Sequence, residues 1–357
     1  KKILSMFVLS ILVLAGCGNG SASGKNVVTS LSEPVEIEFW HGLSGGIEEQ
    51  LTKMTDKFNK ENEFITVKLV NQGTYTDLNQ KLTAASSGGN LPALAMGYMD
   101  TLSPFVLDGK VADLNDYLNN KEIGIDAKNY FEPFLLEGQL NGIQAALPFN
   151  KSSEVLIYNA TEMKKAGLEV PTTFDKALEV AKAYHKKTGK AGLGIDAPTN
   201  LFGTIVNECG IEEWANDKGE FQFTDTCVQD KLKVLQDAAK EGYFRFAGED
   251  KYMSGPFGNG DTLMYIGSSA GTSFVSMAVD GKFDWSVAPA PYKSVVQQGP
   301  NIFLFNTVTP EQEFAGYEYI KYMTSDENTV AWAIATGYMP VTNKGLESAE
   351  WVKFTKE

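Results

Sequence analysis

Between residues 35 and 70 the chain changes hydrophobic period twice, and that change restricts the folds open to it. Val35-Glu36-Ile37-Glu38-Phe39-Trp40 alternates apolar and polar side chains as a half-buried strand does. His41-Gly42-Leu43-Ser44-Gly45-Gly46 follows as a glycine-rich turn, and Ile47, Leu51, Met54 and Phe58 then recur at helical spacing. Residues 64–70 alternate again. A strand, a helix and a second strand in this order imply parallel pairing, hence an α/β lobe whose ligands meet the carboxyl ends of the strands. The 357 residues exceed one ordinary core, so two such lobes are expected.

The rest of the chain supplies the second lobe and two crossings. Gly73-Thr74-Tyr75 opens a helix through Ala85, and the apolar strand at 93–96 ends at Tyr98 and Asp100, positions that open onto a cleft. Leu147-Pro148-Phe149-Asn150-Lys151-Ser152-Ser153-Glu154-Val155-Leu156-Ile157-Tyr158-Asn159 reads as a crossing strand. Its β-branched and aromatic end anchors it, and the polar residues before that end face the cleft. Lys151 is either a charge for an anionic ligand or a solvated hinge lysine. Helices at 161–166 and from 174 precede a strand at 193–195, and a helix at 230–242 precedes a strand at 262–266. Gly267-Ser268-Ser269-Ala270-Gly271 stops that strand, either exposing backbone N–H groups to a ligand or making a plain tight turn. A strand at 285–288 bends at Pro289-Ala290-Pro291-Tyr292, and a strand at 301–305 returns to the first lobe. A helix at 310–323 and another begun by 331–335 follow, and Thr336-Gly337-Tyr338-Met339-Pro340-Val341 ends the second in an aromatic loop.

The first residues read as a targeting segment. Lys1 and Lys2 precede an apolar run at 3–14 and then Leu14-Ala15-Gly16-Cys17, the layout of a secretory signal. The run is shorter than the ~20 residues that a bilayer span needs. The cysteine at the cut makes it look like a lipoprotein signal, with Cys17 as the lipidation site and 18–33 as a flexible tether. Cys209 and Cys227 flank Asp217-Lys218-Gly219-Glu220, a turn signal, so a disulfide across that excursion and two separate thiols are both open. His41 and His185 have no partners at metal-ligand spacing. A net charge of −14 argues against nucleic acid or an anionic membrane surface as partner. Arg245 is the only arginine, so an anionic ligand would be read by lysine, hydroxyls, aromatic donors or backbone N–H groups.

Two catalytic readings compete with binding. Gly42-Leu43-Ser44-Gly45-Gly46 matches a hydrolase elbow between a strand and a helix, but His185 lies in a charged helix tail and the glycines serve loop geometry alone. Asp100 and Glu154 could form a glycosidase carboxylate pair, and carboxylates serve equally to bind sugar hydroxyls. Phosphate-binding loops, dinucleotide fingerprints and zinc signatures do not occur, and no cofactor is expected.

Taken in order, Phe39-Trp40-His41-Gly42, Gly73-Thr74-Tyr75, Pro148-Phe149-Asn150-Lys151-Ser152, Gly267-Ser268-Ser269 and Thr336-Gly337-Tyr338-Met339-Pro340-Val341 carry a resemblance. The chain resembles extracellular solute-binding lipoproteins of bacterial carbohydrate ABC importers (solute-binding protein family 1), and most closely the glycerol-3-phosphate-binding branch. The resemblance implies a type II periplasmic-binding-protein-like fold, with residues 34–147 and 290–323 in one lobe, 148–289 and 324–357 in the other, and hinge strands between. It further implies a monomer, lipid-anchored at Cys17 on the outer face of the cytoplasmic membrane, that closes on a ligand and hands it to an ABC permease.

Carried over by position, Tyr75, Ser152, Ser268 or Ser269, the backbone near Gly299, and Tyr338 are ligand contacts. Trp40 forms cleft wall, and Asp100 and Glu154 are further candidates. Tyr75 and Ser152 would hold one side of the ligand, and Ser268, Ser269 and Tyr338 the other. That branch has an acidic residue directly after the tyrosine that is Tyr98 here, whereas this chain has Met99 and then Asp100. It also has tryptophans where only Phe202 stands, and an arginine beyond the Thr-Gly-Tyr segment. A neutral sugar or oligosaccharide is therefore the competing ligand.

Overall fold

The computed structural model describes residues 27–211, 221 and 225–356. The leader with Cys17, residues 18–26 of the expected tether, and the turn at Asp217-Lys218-Gly219-Glu220 lie outside the described residues.

The chain begins as its periodicity dictates, with β1 (Val35–His41), α1 (Gly45–Glu61), β2 (Ile65–Asn71), α2 (Tyr75–Gly88), β3 (Leu94–Gly97) and α3 (Met99–Leu107). Short elements follow: α4 (Asn115–Leu118), α5 (Glu132–Glu137), the hairpin β4 (Gln139–Leu140) and β5 (Ile143–Gln144), and β6 (Ala146–Pro148). The crossing strand is β7 (Ser152–Asn159). Next come α6 (Ala160–Ala166), α7 (Phe174–Thr188), β8 (Ala191–Ile195), α8 (Pro198–Glu208), α9 (Thr226–Glu241), β9 (Phe244–Phe246), α10 (Ser254–Gly258) and β10 (Thr262–Ser268). The chain continues through α11 (Thr272–Val279), β11 (Trp285–Pro289), β12 (Gln297–Gln298) and β13 (Asn301–Leu304). It closes with α12 (Pro310–Met323), α13 (Asp326–Thr336), α14 (Asn343–Glu347) and α15 (Ala349–Phe354).

Local chemistry fixes two of the helix starts. Thr74 and Asp77 form a reciprocal capping box at α2, so Tyr75 is held as its first residue. Pro310 enters α12 at a position that needs no N–H, behind a second box made by Thr309 and Gln312.

Two sheets result. The first has the order β2-β1-β3-β13-β6, with β1 parallel to β2 and β3 and with β13 antiparallel to β3 and β6. The second runs β11-β7-β10-β8-β9, with β12 also on β7. Its β10 and β9 are parallel to β8, whereas β7 is antiparallel to β10 and β11. Separate apolar clusters cover them: Phe39, Leu94 and Phe303 belong to the first, Leu156, Leu193 and Met264 to the second. The architecture is α/β, built on two sheets, as the alternation implies. Chain placement differs from the expected boundaries at two points. The sequence places residues from 324 onward with the second lobe, yet Trp332 and Val341 are completely buried in the first core. It places Gln297 and Gln298 of β12 with the first lobe, but they pair with Ser153 and Ser152 of β7. Both follow from where the large apolar side chains are buried and where the ladder has free groups, which sequence order does not fix.

Candidate functional site

The two sheets meet where β6 gives way to β7, beside the stretch leading into β13 and the loop after α13. Gly299 is the pin of this waist. Its φ is +97°, and a Cβ there would lie 1.7 Å from the Asn150 carbonyl oxygen, so the two backbone strands approach as only glycine permits. Lys151 is buried completely, and neither reading of it from sequence holds: its ammonium donates to the Gly299 carbonyl at 2.9 Å and pairs with the Glu137 carboxylate. Burial pulls the ammonium below its usual range, and the Glu137 charge opposes that shift.

Around this pin stand four tyrosines. Tyr75, first in α2, packs edge-on against Tyr98 with ring centroids 5.3 Å apart. Tyr338 stacks on buried Trp332, centroids 6.3 Å apart, and so belongs with the first core, not with the opposite side where sequence reasoning puts it. Tyr252 comes from the second sheet's side, near enough to influence both Tyr98 and Tyr338 electrostatically. Burial raises the Tyr75 and Tyr338 phenols well above their ordinary value and takes Tyr98 up to about 12, so all three are protonated at neutral pH. The Asn150 side chain lies beside Tyr75 and Tyr338 and its polar end partly opposes the shift, although it forms no hydrogen bond of proper geometry to the Tyr75 hydroxyl. Among the described residues, the Tyr75 hydroxyl, Asn150 Oδ1, Asn79 Oδ1 and both polar atoms of the Asn301 side chain are buried with no hydrogen-bond partner. Leaving such atoms unpartnered costs about 1–3 kcal/mol each, which an incoming polar molecule can recover.

The facing edge belongs to the second sheet. Ser152 begins β7 and accepts a 2.9 Å hydrogen bond from Ser268 at the end of β10. Ser269 opens the 3-10 turn Ser269–Gly271, and its hydroxyl accepts from the Ser153 N–H at 3.5 Å. A Cβ on Gly337 would stand 3.0 Å from Thr272 Oγ1 and 3.2 Å from the Ser269 carbonyl, so the end of α13 rests on this turn. Glu154 is buried, accepting only long hydrogen bonds from Asn200 at 3.4 Å and Gln298 at 3.5 Å, and its Oε2 has no partner among the described residues. Burial lifts its carboxyl to about 7; the Asn200 hydrogen bond opposes this, and the nearby Asp196 charge adds to it. Asp196, next after β8, is itself pushed up to about 6 by burial, although Met253 N–H donates to it at 2.5 Å.

The structure thus brings Tyr75, Gly299 and Tyr338 together on one side, and Ser152, Ser268, Ser269 and Glu154 on the other. Trp40 is half-buried and its indole N–H donates to Glu38 at 2.8 Å, while Asp100 is exposed in the first turn of α3, near enough for its charge to act on Tyr98. Ser44 is an exposed N-cap of α1 whose hydroxyl makes no cap bond, His41 Nδ1 accepts from Leu43 N–H, and His185 bonds the Lys190 carbonyl. Sequence reasoning does not single out Glu137, Asn150, Asp196 or Tyr252. Asn150 lies in the polar stretch that opens the crossing segment, and Asp196 is an acid at the carboxyl end of an apolar strand, whereas Glu137 and Tyr252 carry no such signal. Cys209 and Cys227 form a disulfide, their Cα atoms 5.9 Å apart. No described helix is long and apolar enough to cross a membrane.

Comparison with known proteins matches this architecture. The curated sn-glycerol-3-phosphate-binding periplasmic protein UgpB of Pectobacterium atrosepticum is 26% identical over 335 residues, covering 87% of this chain and 74% of that protein. UgpB of Salmonella typhimurium is 24% identical over 334 residues, covering 87% and 75%. Among solved structures, UgpB from Mycobacterium tuberculosis in complex with glycerophosphocholine superposes with a TM-score of 0.79 at 20% identity, covering 91% of this chain and 83% of that one. The GacH receptor of Streptomyces glaucescens, solved unliganded and in complex with acarbose, gives 0.77 at 19%, covering 90% and 84%. Residues 53–356 match the family model described as bacterial extracellular solute-binding protein. With two sheets meeting at a polar, tyrosine-lined waist and a family match over most of its length, the chain belongs to the bacterial extracellular solute-binding proteins.

Proposed function

We propose that this chain is the substrate-binding component of an ABC importer, capturing a polyhydroxylated solute between its two sheets and delivering it to a membrane permease. The solute class is glycerol-3-phosphate, a glycerophosphodiester or a related carbohydrate, which accords with the ligands named for the UgpB relatives. One observation carries the reading: buried polar atoms without partners, Tyr75 Oη and Asn150 Oδ1 on one side and Glu154 Oε2 on the other, sit where the sheets meet. A solute touching both sides gives each of them a partner only when the lobes are together. The closed arrangement is then favoured by the solute's differential affinity, and a nearly complete shift takes about 5.5 kcal/mol.

In this reading Tyr75 and Tyr338 stack on apolar ligand surface, Ser152, Ser268 and Ser269 meet its hydroxyls, and the Gly299 backbone closes the floor. No chemistry is performed on the solute. Cys17 carries the lipid that keeps a monomeric protein at the outer face of the cytoplasmic membrane, within reach of its permease.

A thermal-shift panel of glycerol-3-phosphate, glycerophosphocholine and di- to tetrasaccharides tests the proposal, followed by small-angle scattering with the best binder. A stabilised protein that becomes more compact is expected. If no solute stabilises it and the scattering curve never changes, the importer reading fails.

A further inference from the structure

The waist buries a cation, and its partners bear on the class of solute. Lys151 has no exposed side-chain surface. An ammonium in such a place is tolerated only when paired and hydrogen-bonded. Two of its three N–H groups are engaged by this chain, one by the Gly299 carbonyl at 2.9 Å and one by Glu137. The Lys151 carbonyl in turn accepts from Met339 N–H at 2.7 Å, which binds the segment after α13 to the same spot.

Glu137 is placed differently. It is the last residue of α5, and 28% of its side chain is exposed. Its charge acts on Tyr98, the ring that packs against Tyr75. Lys151 holds Oε2, and among the described residues no hydrogen bond reaches Oε1. Asn150 Oδ1 is a further acceptor without a partner.

This balance favours one ligand chemistry. A phosphomonoester brings acceptors and about −1.5 to −2 charge, so it would face the Glu137 carboxylate while the buried ammonium is already held. A hydroxyl donates as well as accepts, and it suits a carboxylate oxygen and a phenol equally.

We propose that Glu137, fixed by buried Lys151, is a specificity-determining residue that accepts a ligand hydroxyl and turns phosphomonoesters away, so the solute is an uncharged polyol or oligosaccharide. This rests on the reading of the chain as a solute-binding protein and narrows its ligand. Lys151 acts only through Glu137 and is a positioning residue.

The test is titration calorimetry of the full chain with glycerol, di- to tetrasaccharides and glycerol-3-phosphate. It compares wild type, Glu137→Gln, and the double variant Glu137→Gln with Lys151→Met. The double variant is needed because Glu137→Gln leaves a buried ammonium without its counter-charge and can unfold the waist. In wild type, an uncharged solute is expected to bind at least about a hundredfold more tightly than glycerol-3-phosphate. The folded double variant is expected to lose about tenfold or more of that affinity, and Glu137→Gln, where folded, to gain glycerol-3-phosphate binding. Wild-type preference for glycerol-3-phosphate overturns this inference and leaves the importer reading standing. Unchanged saccharide affinity in the folded double variant also overturns it. Absence of binding to every probe, with unchanged scattering, counts against both.

Discussion

Ser268 donates a hydrogen bond to Ser152 at 2.9 Å, joining the end of β10 to the start of β7. The Ser268 oxygen also accepts from Ala270 N–H at 3.2 Å, so its proton is directed at Ser152 and the Ser152 proton is left to point elsewhere. Ser152→Ala is therefore expected to weaken solute binding by about tenfold while costing about 1 kcal/mol of stability. Calorimetry and urea denaturation on the same preparations check both numbers, and a stability loss without an affinity loss would leave Ser152 as a purely structural residue.

Tyr75 gives a cleaner separation. Its ring is packed against Tyr98, so truncation to alanine would open a cavity and confuse packing with binding. Its hydroxyl has no partner among the described residues. Tyr75→Phe removes that hydroxyl alone, and the unliganded protein is expected to be as stable as wild type or slightly more so. Solute affinity is expected to fall by about five- to thirtyfold, the range of one lost hydrogen bond to a buried group. A phenylalanine variant that melts lower than wild type would show that a partner for the hydroxyl exists without ligand.

Glu154 and Asp196 make stability depend on pH in an unusual direction. Their carboxyls titrate near 7 and near 6 in the fold, against ordinary values of 4.5 and 3.8. A raised carboxyl means that the folded state holds protons more tightly than the unfolded chain. The associated stability is present below about pH 4 and is lost as pH rises to about 7. The unliganded protein is therefore expected to be more stable at pH 5 than at pH 7.5, by a few kcal/mol at most. Glu154→Gln should flatten most of this slope, as measured by urea denaturation across that range.

Much of this arrangement is legible in the residues. Thr74 and Asp77 announce the start of α2 and hence the place of Tyr75, and the small residues after β10 announce a turn at Ser268. What escapes a sequence reading is decided by long-range packing. Nothing local distinguishes Lys151 from a solvated lysine, because its partners Glu137 and Gly299 lie 14 and 148 residues away. Tyr338 falls on the side opposite to the one expected because Trp332 carries α13 back onto the first core. The partner of the Trp40 indole N–H, Glu38 on the same face of its own strand, is likewise not announced by the residues.

The Cys209–Cys227 bridge spans 18 positions between the end of α8 and the start of α9. In the loop-entropy account, closing a stretch of that size contributes about 3 kcal/mol. Replacing both cysteines by alanine is expected to lower stability by about that amount. Solute affinity should stay unchanged, since none of the tyrosines or serines at the waist lies on α9. Denaturation and calorimetry of the double variant, each with and without reductant on wild type, provide the measurement.

Gly299 offers the most demanding test of the waist. With its positive φ, and with a methyl group at this position falling 1.7 Å from the Asn150 oxygen, alanine fits neither the conformation nor the space. The same backbone carries the carbonyl that receives Lys151, so shifting it also strips a partner from a buried ammonium. Gly299→Ala should therefore cost about 3 kcal/mol or more, above the usual effect of a strained residue alone. Pairing it with Lys151→Met removes the stranded charge, and the double variant should be less destabilised than the sum of the two single changes. Additive effects in a denaturation cycle would mean that Gly299 and Lys151 act independently.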